Sequence, residues 1–308
     1  MLCSSEELGL GKDEDDGILE FTKDDVNIGK KYIDFANLDD DIIEIAVTPN
    51  RADCLGVYGI ARDLAASGLG KLKSLNIKQN KYNFITKEPI SECDYIGIKF
   101  TDVKNFITPG DIKNKLDSAN VKQILAPVDI TNYINFAYSR PSHVYDADKL
   151  IGDIKVEYAK DGEKFISLDD KEYILTKDIL VVKDNEKTIA IAGVIGSKET
   201  AVTENTTNIW LEVASFDKDK VAISGRSLNI ITDARYRFER GVDNNFVKNG
   251  AVILADLIKD ICKCDVSEAF YYKAKFKEDI ILDFDFNLIK RLAGLEVSEE
   301  EAKGILEK

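Results

Sequence analysis

The sequence predicts a mixed α/β fold of the α+β kind, built around one large central domain. Three observations carry this reading. Segments with strand alternation and segments with helical spacing succeed one another through the middle of the 308-residue chain. Hydrophobic content of 44% beside 32% charged residues describes a globular protein able to bury a sizeable core. The two ends, by contrast, carry too little regular pattern to close domains of their own.

Taken in order, the first thirty residues offer one short alternating strand at 18–21. Residues 42–47 read as a second strand, followed by Thr48-Pro49-Asn50-Arg51-Ala52-Asp53-Cys54, where Asn50 is placed to cap a helix. Val57, Ile60, Ala61 and Leu64 then share one helical face, and Gly68 stops it. Residues 71–87 are polar and weakly patterned, as a connection between domains would be. Ile96, Ile98 and Phe100 alternate as a strand. Ile112, Leu116 and Ala119 predict a short helix, and 128–137 another. Hairpin strands follow at 154–158, 165–168, 172–175, 179–182 and 188–191, with Asp184-Asn185-Glu186-Lys187 as a turn. A further strand at 208–213 holds the only tryptophan, Trp210. Val247, Ala251, Leu254, Ile258 and Ile261 have the spacing of a core helix. After Tyr272 a new unit begins: a strand at 280–284, a helix at 287–293, and the capping box Ser298-Glu299-Glu300-Glu301. The predicted domains are 1–30, 31–80, 81–270 and 271–308.

Composition excludes several classes of function. No apolar run approaches the roughly 20 residues of a membrane span, and the N-terminus lacks the pattern of a signal peptide. Five cysteines, odd in number and scattered, predict free thiols in a reducing cytoplasm. Cys262 and Cys264 have no further nitrogen or sulfur ligands in sequence reach, so no metal site is expected. The net charge of −14 argues against nucleic acid only superficially. Residues 1–50 hold 14 acidic and 4 basic side chains, so −10 of that charge lies there and about −4 is left for the rest. A local basic surface remains open. His143 is the only histidine, so any scheme needing an imidazole near neutral pH passes through it. Taken alone, it reads more simply as a packed or solvated side chain.

Four strings in order give the chain a resemblance. They are Thr48-Pro49-Asn50-Arg51-Ala52-Asp53-Cys54-Leu55, Val128-Asp129-Ile130-Thr131-Asn132-Tyr133, Ala192-Gly193-Val194-Ile195-Gly196 and Arg237-Phe238-Glu239-Arg240-Gly241-Val242-Asp243. Pro141-Ser142-His143 falls between the second and third. Together they resemble the β subunit of bacterial phenylalanyl-tRNA synthetase over essentially the whole chain. The resemblance implies an internal piece: the end of an OB-fold at 1–30, a small α/β domain and linker at 31–80, the tRNA-editing domain at 81–270, and the start of a further domain at 271–308. It implies tRNA(Phe) and the α subunit of an α2β2 enzyme as partners. ATP and magnesium would belong to the whole enzyme, with no cofactor held by this piece and no aminoacylation by it alone.

The family's central domain hydrolyses tyrosine wrongly attached to tRNA(Phe), because a pocket for phenylalanine cannot strongly reject an isostere that adds only a hydroxyl. By resemblance Glu212 reads that hydroxyl, and His143 orients the ester or water or acts as a weak base. Gly193 and Gly196 leave room for the ring, or form a plain hairpin turn. Thr131, Thr232 and Ala234 line the same pocket, although Thr131 equally fits a helix residue bonding its own backbone. Glu212 could also be a solvent-facing strand residue. Arg235, Arg237 and Arg240 could meet tRNA phosphates, or Arg240 could pair with Asp243. Direct attack by water is the expected chemistry, since a triad of Ser142, His143 and Asp146 is too close in sequence.

The chain departs from the family pattern at Leu125-Ala126-Pro127, Ser139-Arg140-Pro141, Val144 and Ser197. Val144 is expected to add bulk beside His143, and Ser197 to tighten the loop after Gly196. Two further readings stand beside the editing hydrolase: a catalytically silent RNA-docking scaffold with the same fold, and a protein-interaction module.

Overall fold

A computed structural model describes residues 3–4, 7–8, 17–20, 28–35, 39, 41–75, 77, 81–89, 93–104, 108–274 and 281–307. The chain divides into two compact units, Met1–Ala46 and Val47–Lys308. In the first, α1 (Tyr32–Phe35) is a single turn. The strands expected at 18–21 and 42–47 do not form among the described residues; Phe21 lies outside them. Ile42 and Ile43 are 85% and 79% exposed. Alternation alone leaves a strand's backbone groups unpaired, and among the described residues no neighbouring strand takes them up.

The second unit opens with a 3₁₀ turn, Ala52–Leu55, and helix α2 (Val57–Ala66). Asn50 does not cap this helix; Gly56 stands at its N-terminus with no side-chain cap. The Asp53 carboxylate is drawn instead into ion pairs with Arg51, at 2.9 Å, and with Arg62. Gly68 does end the helix, at φ +87°, and the Leu69 N–H donates to the Leu64 carbonyl at 3.0 Å.

Eleven strands and seven further helices follow among the described residues. The strands are β1 (Ile85–Lys87), β2 (Tyr95–Thr101), β3 (His143–Asp146), β4 (Lys155–Tyr158), β5 (Lys164–Ile166), β6 (Glu172–Ile174), β7 (Leu180–Lys183), β8 (Thr188–Ile191), β9 (Ile195–Gly196), β10 (Ile209–Ala214) and β11 (Asp265–Tyr272). The helices are α3 (Gly110–Ser118), α4 (Ala126–Tyr138), α5 (Lys218–Ser227), α6 (Asp233–Phe238), α7 (Val247–Cys262), α8 (Asn287–Ala293) and α9 (Glu299–Leu306). Sequence patterning finds most of them and misses β1, which falls in the expected connection, and β3, β9, β11, α5 and α6. It also expects a strand at 280–284. Residue 280 lies outside the described residues, and 281–284 carry no strand. Ile281 and Leu282 there are exposed, so apolar content had no sheet to enter.

The main sheet runs β1-β11-β2-β10-β3, antiparallel except for the parallel pair β1–β11. Strands alternate their side chains between faces. Ile96, Ile98, Phe100, Val144, Ile209, Leu211 and Val213 point to one face and pack with Ile130 and Ile134 of α4 and with Ala251, Leu254 and Ile258 of α7. Tyr95, Tyr145, Trp210 and Ala214 point to the other and share a second core with the sheet β4-β7-β8-β9 and with α5 and α6. The remaining pair, β5–β6, forms a small ribbon. At the C-terminal end Ser298 Oγ accepts the Glu301 N–H at 3.1 Å, starting α9 as its capping pattern predicts.

Trp210 sits on Gly97 of β2, where any Cβ would enter the indole, and stacks on Phe270 at 5.9 Å between centroids. Gly97→Val should therefore lower stability by about 2–3 kcal/mol. Urea unfolding followed by tryptophan fluorescence, which reports on this one indole, checks it; an unchanged midpoint would contradict the packing described.

Candidate functional site

The core shared with the second sheet borders a cleft of about 60 Å³, walled by the 141–145 segment, Gly193 to Gly196, Glu212 of β10, and Ala234 and Phe238 of α6. The main sheet decides which side chains enter it. Glu212 pairs in register with His143 across β10 and β3. His143 and Tyr145, two apart, face the cleft, whereas Val144 and Asp146 face away. Val144 lies in the helix-side core at 4% exposure, so its bulk is directed away from His143, contrary to expectation. Asp146 accepts Thr206 Oγ1 at 2.7 Å and pairs with Lys149 at 3.3 Å. No Ser142-His143-Asp146 triad can form across that strand.

Glu212 is buried and does not point to solvent. Its carboxylate accepts the Tyr145 hydroxyl at 2.9 Å and a second bond from Tyr95, whose own hydroxyl accepts Trp210 Nε1–H at 3.2 Å. Desolvation pushes Glu212 up to about 7, against the opposing pull of the two phenols. His143 packs its ring edge on Tyr145 at 4.5 Å and 70°. Burial pushes it down to about 4, so the imidazole is neutral at physiological pH. Its Nε2 and the neighbouring Ser142 Oγ are enclosed without a hydrogen-bond partner among the described residues.

The glycines are specific requirements of this packing. A Cβ on Gly196 would stand 2.5 Å from His143 Nε2. Gly193 has φ +68°, and a Cβ there would press on Val221 at 2.9 Å and on Phe238 and Phe216. Thr232 caps α6, accepting the Arg235 N–H at 3.1 Å, and donates to the Val194 carbonyl at 2.8 Å. It thus fixes the glycine turn to α6, while Ala234 supplies the methyl that faces the cleft. Thr131 does not reach the cleft. On α4 its hydroxyl donates to the Val128 carbonyl at 2.6 Å, the local bond open to a helix threonine.

The three arginines do not form a free basic cluster. Arg235 pairs with Glu239 at 3.0 Å and donates to the Gly225 and Ile230 carbonyls. Arg237, with 6% side-chain exposure, bonds Asp233 and the Leu55 carbonyl and lies over Phe136. Arg240 stacks on Tyr236 at 3.5 Å and pairs with Glu239, not with Asp243. Arg140 is fully buried and donates to the carbonyls of Ala214, at 3.1 Å, and Asp243. It ties the segment leading into His143 to the end of β10. Ser197 accepts the Glu199 N–H at 3.2 Å and bridges Ser167, holding the chain after Gly196. Away from the cleft, Asp53, Cys54 and Asp63 converge, but Arg51 and Arg62 already neutralise them.

Sequence reasoning missed Tyr145 and Tyr95. The two-residue period from His143 would have placed Tyr145 beside it, had 143–146 been read as a strand.

Residues 92–263, more than half the chain, match the B3/4 domain family, and the chain belongs to that family. Over nearly its whole length it is also similar to phenylalanine–tRNA ligase beta subunits. That of Rhodopseudomonas palustris is 40% identical over 312 residues, covering 99% of this chain and 39% of that protein. That of Rickettsia prowazekii is 37% identical over 337 residues, covering 100% and 41%. The chain thus spans about two fifths of the length of the curated relatives it matches. An N-terminal fragment of the beta subunit from Pyrococcus horikoshii covers 85% of this chain and 74% of its own, with 17% identity and a TM-score of 0.36, too distant to argue from.

Two predictions follow from the buried pair. Gly196→Ala should force the His143 ring toward solvent and bring its titration from about 4 back toward 6.5. Proton NMR of the single imidazole reads this directly, and a titration left near 4 would refute the contact. Glu212 has a folded pKa above its unfolded value, so its contribution is intact below about 4.5 and is lost as pH rises through about 7. Between pH 5 and 8 the wild type should lose about 2 kcal/mol that Glu212→Gln retains. Urea unfolding at the two pH values tests this, and parallel losses in both proteins would contradict it.

Proposed function

We propose that the chain is the editing region of a phenylalanine–tRNA ligase beta subunit and hydrolyses tyrosine esterified to tRNA(Phe). The observation that carries this reading is Glu212, a buried carboxylate aimed into a glycine-walled cleft with a neutral imidazole beside it. A desolvated carboxylate rewards a ligand that brings a hydroxyl donor and penalises one that does not. That preference is the one a correcting site needs, because the synthetic pocket cannot supply it by size alone. Tyrosine enters with its phenol toward Glu212 and its ring along Gly193 and Gly196. The ester then lies near Ser142 and His143, whose enclosed Oγ and Nε2 can order a polar group.

Water attacks the ester carbonyl carbon, assisted by the neighbouring hydroxyl of the terminal ribose. The bond to the ribose oxygen breaks, that oxygen takes up the proton, and free tyrosine and uncharged tRNA result. No serine or cysteine in the cleft has a paired base, so no covalent intermediate is invoked. tRNA(Phe), the α subunit and a cytoplasmic setting belong to this reading. ATP and magnesium serve aminoacylation by the whole ligase. The cleft's one carboxylate, already bonded to two phenols, does not make the oxygen-rich site magnesium takes, and no editing step uses either. Among the described residues no helix is long and apolar enough to cross a membrane.

The cleft volume favours a second reading. About 60 Å³ is well under the roughly 150 Å³ of a cavity that takes benzene. In that reading the domain has kept its fold as an RNA-docking scaffold and no longer admits an aromatic ring.

Tyrosine release from preformed tyrosyl-tRNA(Phe), by the chain and by the reconstituted heterotetramer, separates the two. Hydrolysis should exceed background, fall at least about tenfold in Glu212→Ala, and drop in His143→Ala. No release above background in the heterotetramer would leave only the scaffold. With Glu212 near 7, preference for tyrosyl over phenylalanyl ester should rise as pH passes from 6 to 8. A pH-independent preference would remove Glu212 from the reading.

A further inference from the structure

We propose that Tyr145 sets the selectivity of the cleft, its phenol standing on Glu212 in competition with the hydroxyl of a bound tyrosine. The proposal rests on the cleft being an aminoacyl site and adds a residue that fixes how sharply it discriminates. Tyr145 Oη donates to Glu212 Oε2 at 2.9 Å, with both side chains buried. Tyr145 also lines the cleft, its ring against His143 at 4.5 Å. Its chemistry is that of the proposed substrate: the same phenol, on the same carboxylate, supplied by the protein.

Position holds that phenol in place. Tyr145 lies opposite Trp210 in the β3–β10 register, two residues from the His143–Glu212 pair and on the same face. A swing away would have to break strand packing. On the other side of the carboxylate, Tyr95 is anchored by the Trp210 indole N–H at 3.2 Å. An ionised carboxylate accepts about four hydrogen bonds. With two internal phenols, an incoming tyrosine hydroxyl is the third donor and phenylalanine leaves Glu212 still partnered. The penalty against phenylalanine is then set by how many acceptor positions the protein fills itself. Tyr145 is the one of the two internal donors that lines the cleft, so its hydroxyl competes with the ligand.

Removing that hydroxyl should therefore sharpen the site. The test is calorimetric binding of L-tyrosinamide and L-phenylalaninamide to the 308-residue chain, in wild type, Tyr145→Phe, Glu212→Gln and the double variant. Tyr145→Phe should raise the tyrosinamide-to-phenylalaninamide affinity ratio by about tenfold, the worth of one hydrogen bond to a charged group. In the Glu212→Gln background the same substitution should change the ratio less than about twofold, since the carboxylate it acts through is gone. A packing effect would appear in both backgrounds alike. The proposal is overturned if the ratio is unchanged or falls, if it rises equally beside Glu212→Gln, or if neither amide binds any variant. Should Tyr145→Phe lose its cooperative melt, Tyr145→Leu carries the same outcomes. Tyrosine release from tyrosyl-tRNA(Phe) by the same proteins is scored separately. A shifted ratio without release would sink the hydrolase reading and leave the role of Tyr145 standing.

Discussion

Strand β10 has no side turned to water, and much of the site follows from that. Leu211 and Val213 are held by α4 and α7, while Trp210 and Ala214 enter the core shared with the second sheet. β2 and β3 take up its backbone groups on either edge. A carboxylate placed at position 212 of such a strand cannot be solvated and must be partnered from within. Tyr95 and Tyr145 do this from the two flanking strands. The cost of burial is left visible in an acid that titrates near neutrality.

The charge state of the cleft follows from the same burial. Near pH 7 His143 is uncharged and Glu212 is about half ionised, so the pocket carries at most a fraction of one negative charge. Cations are kept at a distance by being used elsewhere. Arg235 and Arg237 brace α6 against its neighbours, and Arg140 spends its guanidinium on backbone carbonyls. These arginines behave as rigid crosslinks between loops and helices. The turn that carries Gly193 is fastened to α6 by Thr232 in the same manner.

How much of this could be read from the sequence differs element by element. The helix with Val247, Ala251, Leu254 and Ile258 was legible because its apolar spacing is set by its own period, and β2 and the β7–β8 hairpin likewise. β3 was not, since four residues with a histidine and an aspartate show no apolar alternation; its identity comes from pairing with β10. At 42–47 the pattern was present and no partner strand met it among the described residues. Of the residues singled out beforehand, the fold brings His143, Gly193, Gly196, Glu212 and Ala234 around one cleft, from four separate stretches of chain. Their convergence was available only through resemblance, because no local period links a strand, a turn and a helix so far apart. Thr131 and the arginines show the limit of that route, since a matching motif position does not say which way a side chain turns.

The strand order of the main sheet has a consequence for how the chain is made. β2 lies between β10 and β11, so Ile98 waits for Leu211 on one side and for Ala269 on the other. β1, earlier still, finds its parallel partner only in β11. During synthesis the ribosome must therefore deliver the chain through Tyr272 before this sheet can close. Until then β2, which carries the apolar stripe Ile96-Ile98-Phe100, keeps an open edge of the kind that recruits chaperones or wrong partners. The sheet that holds Glu212 in place is thus completed late, by the arrival of its most distant strand.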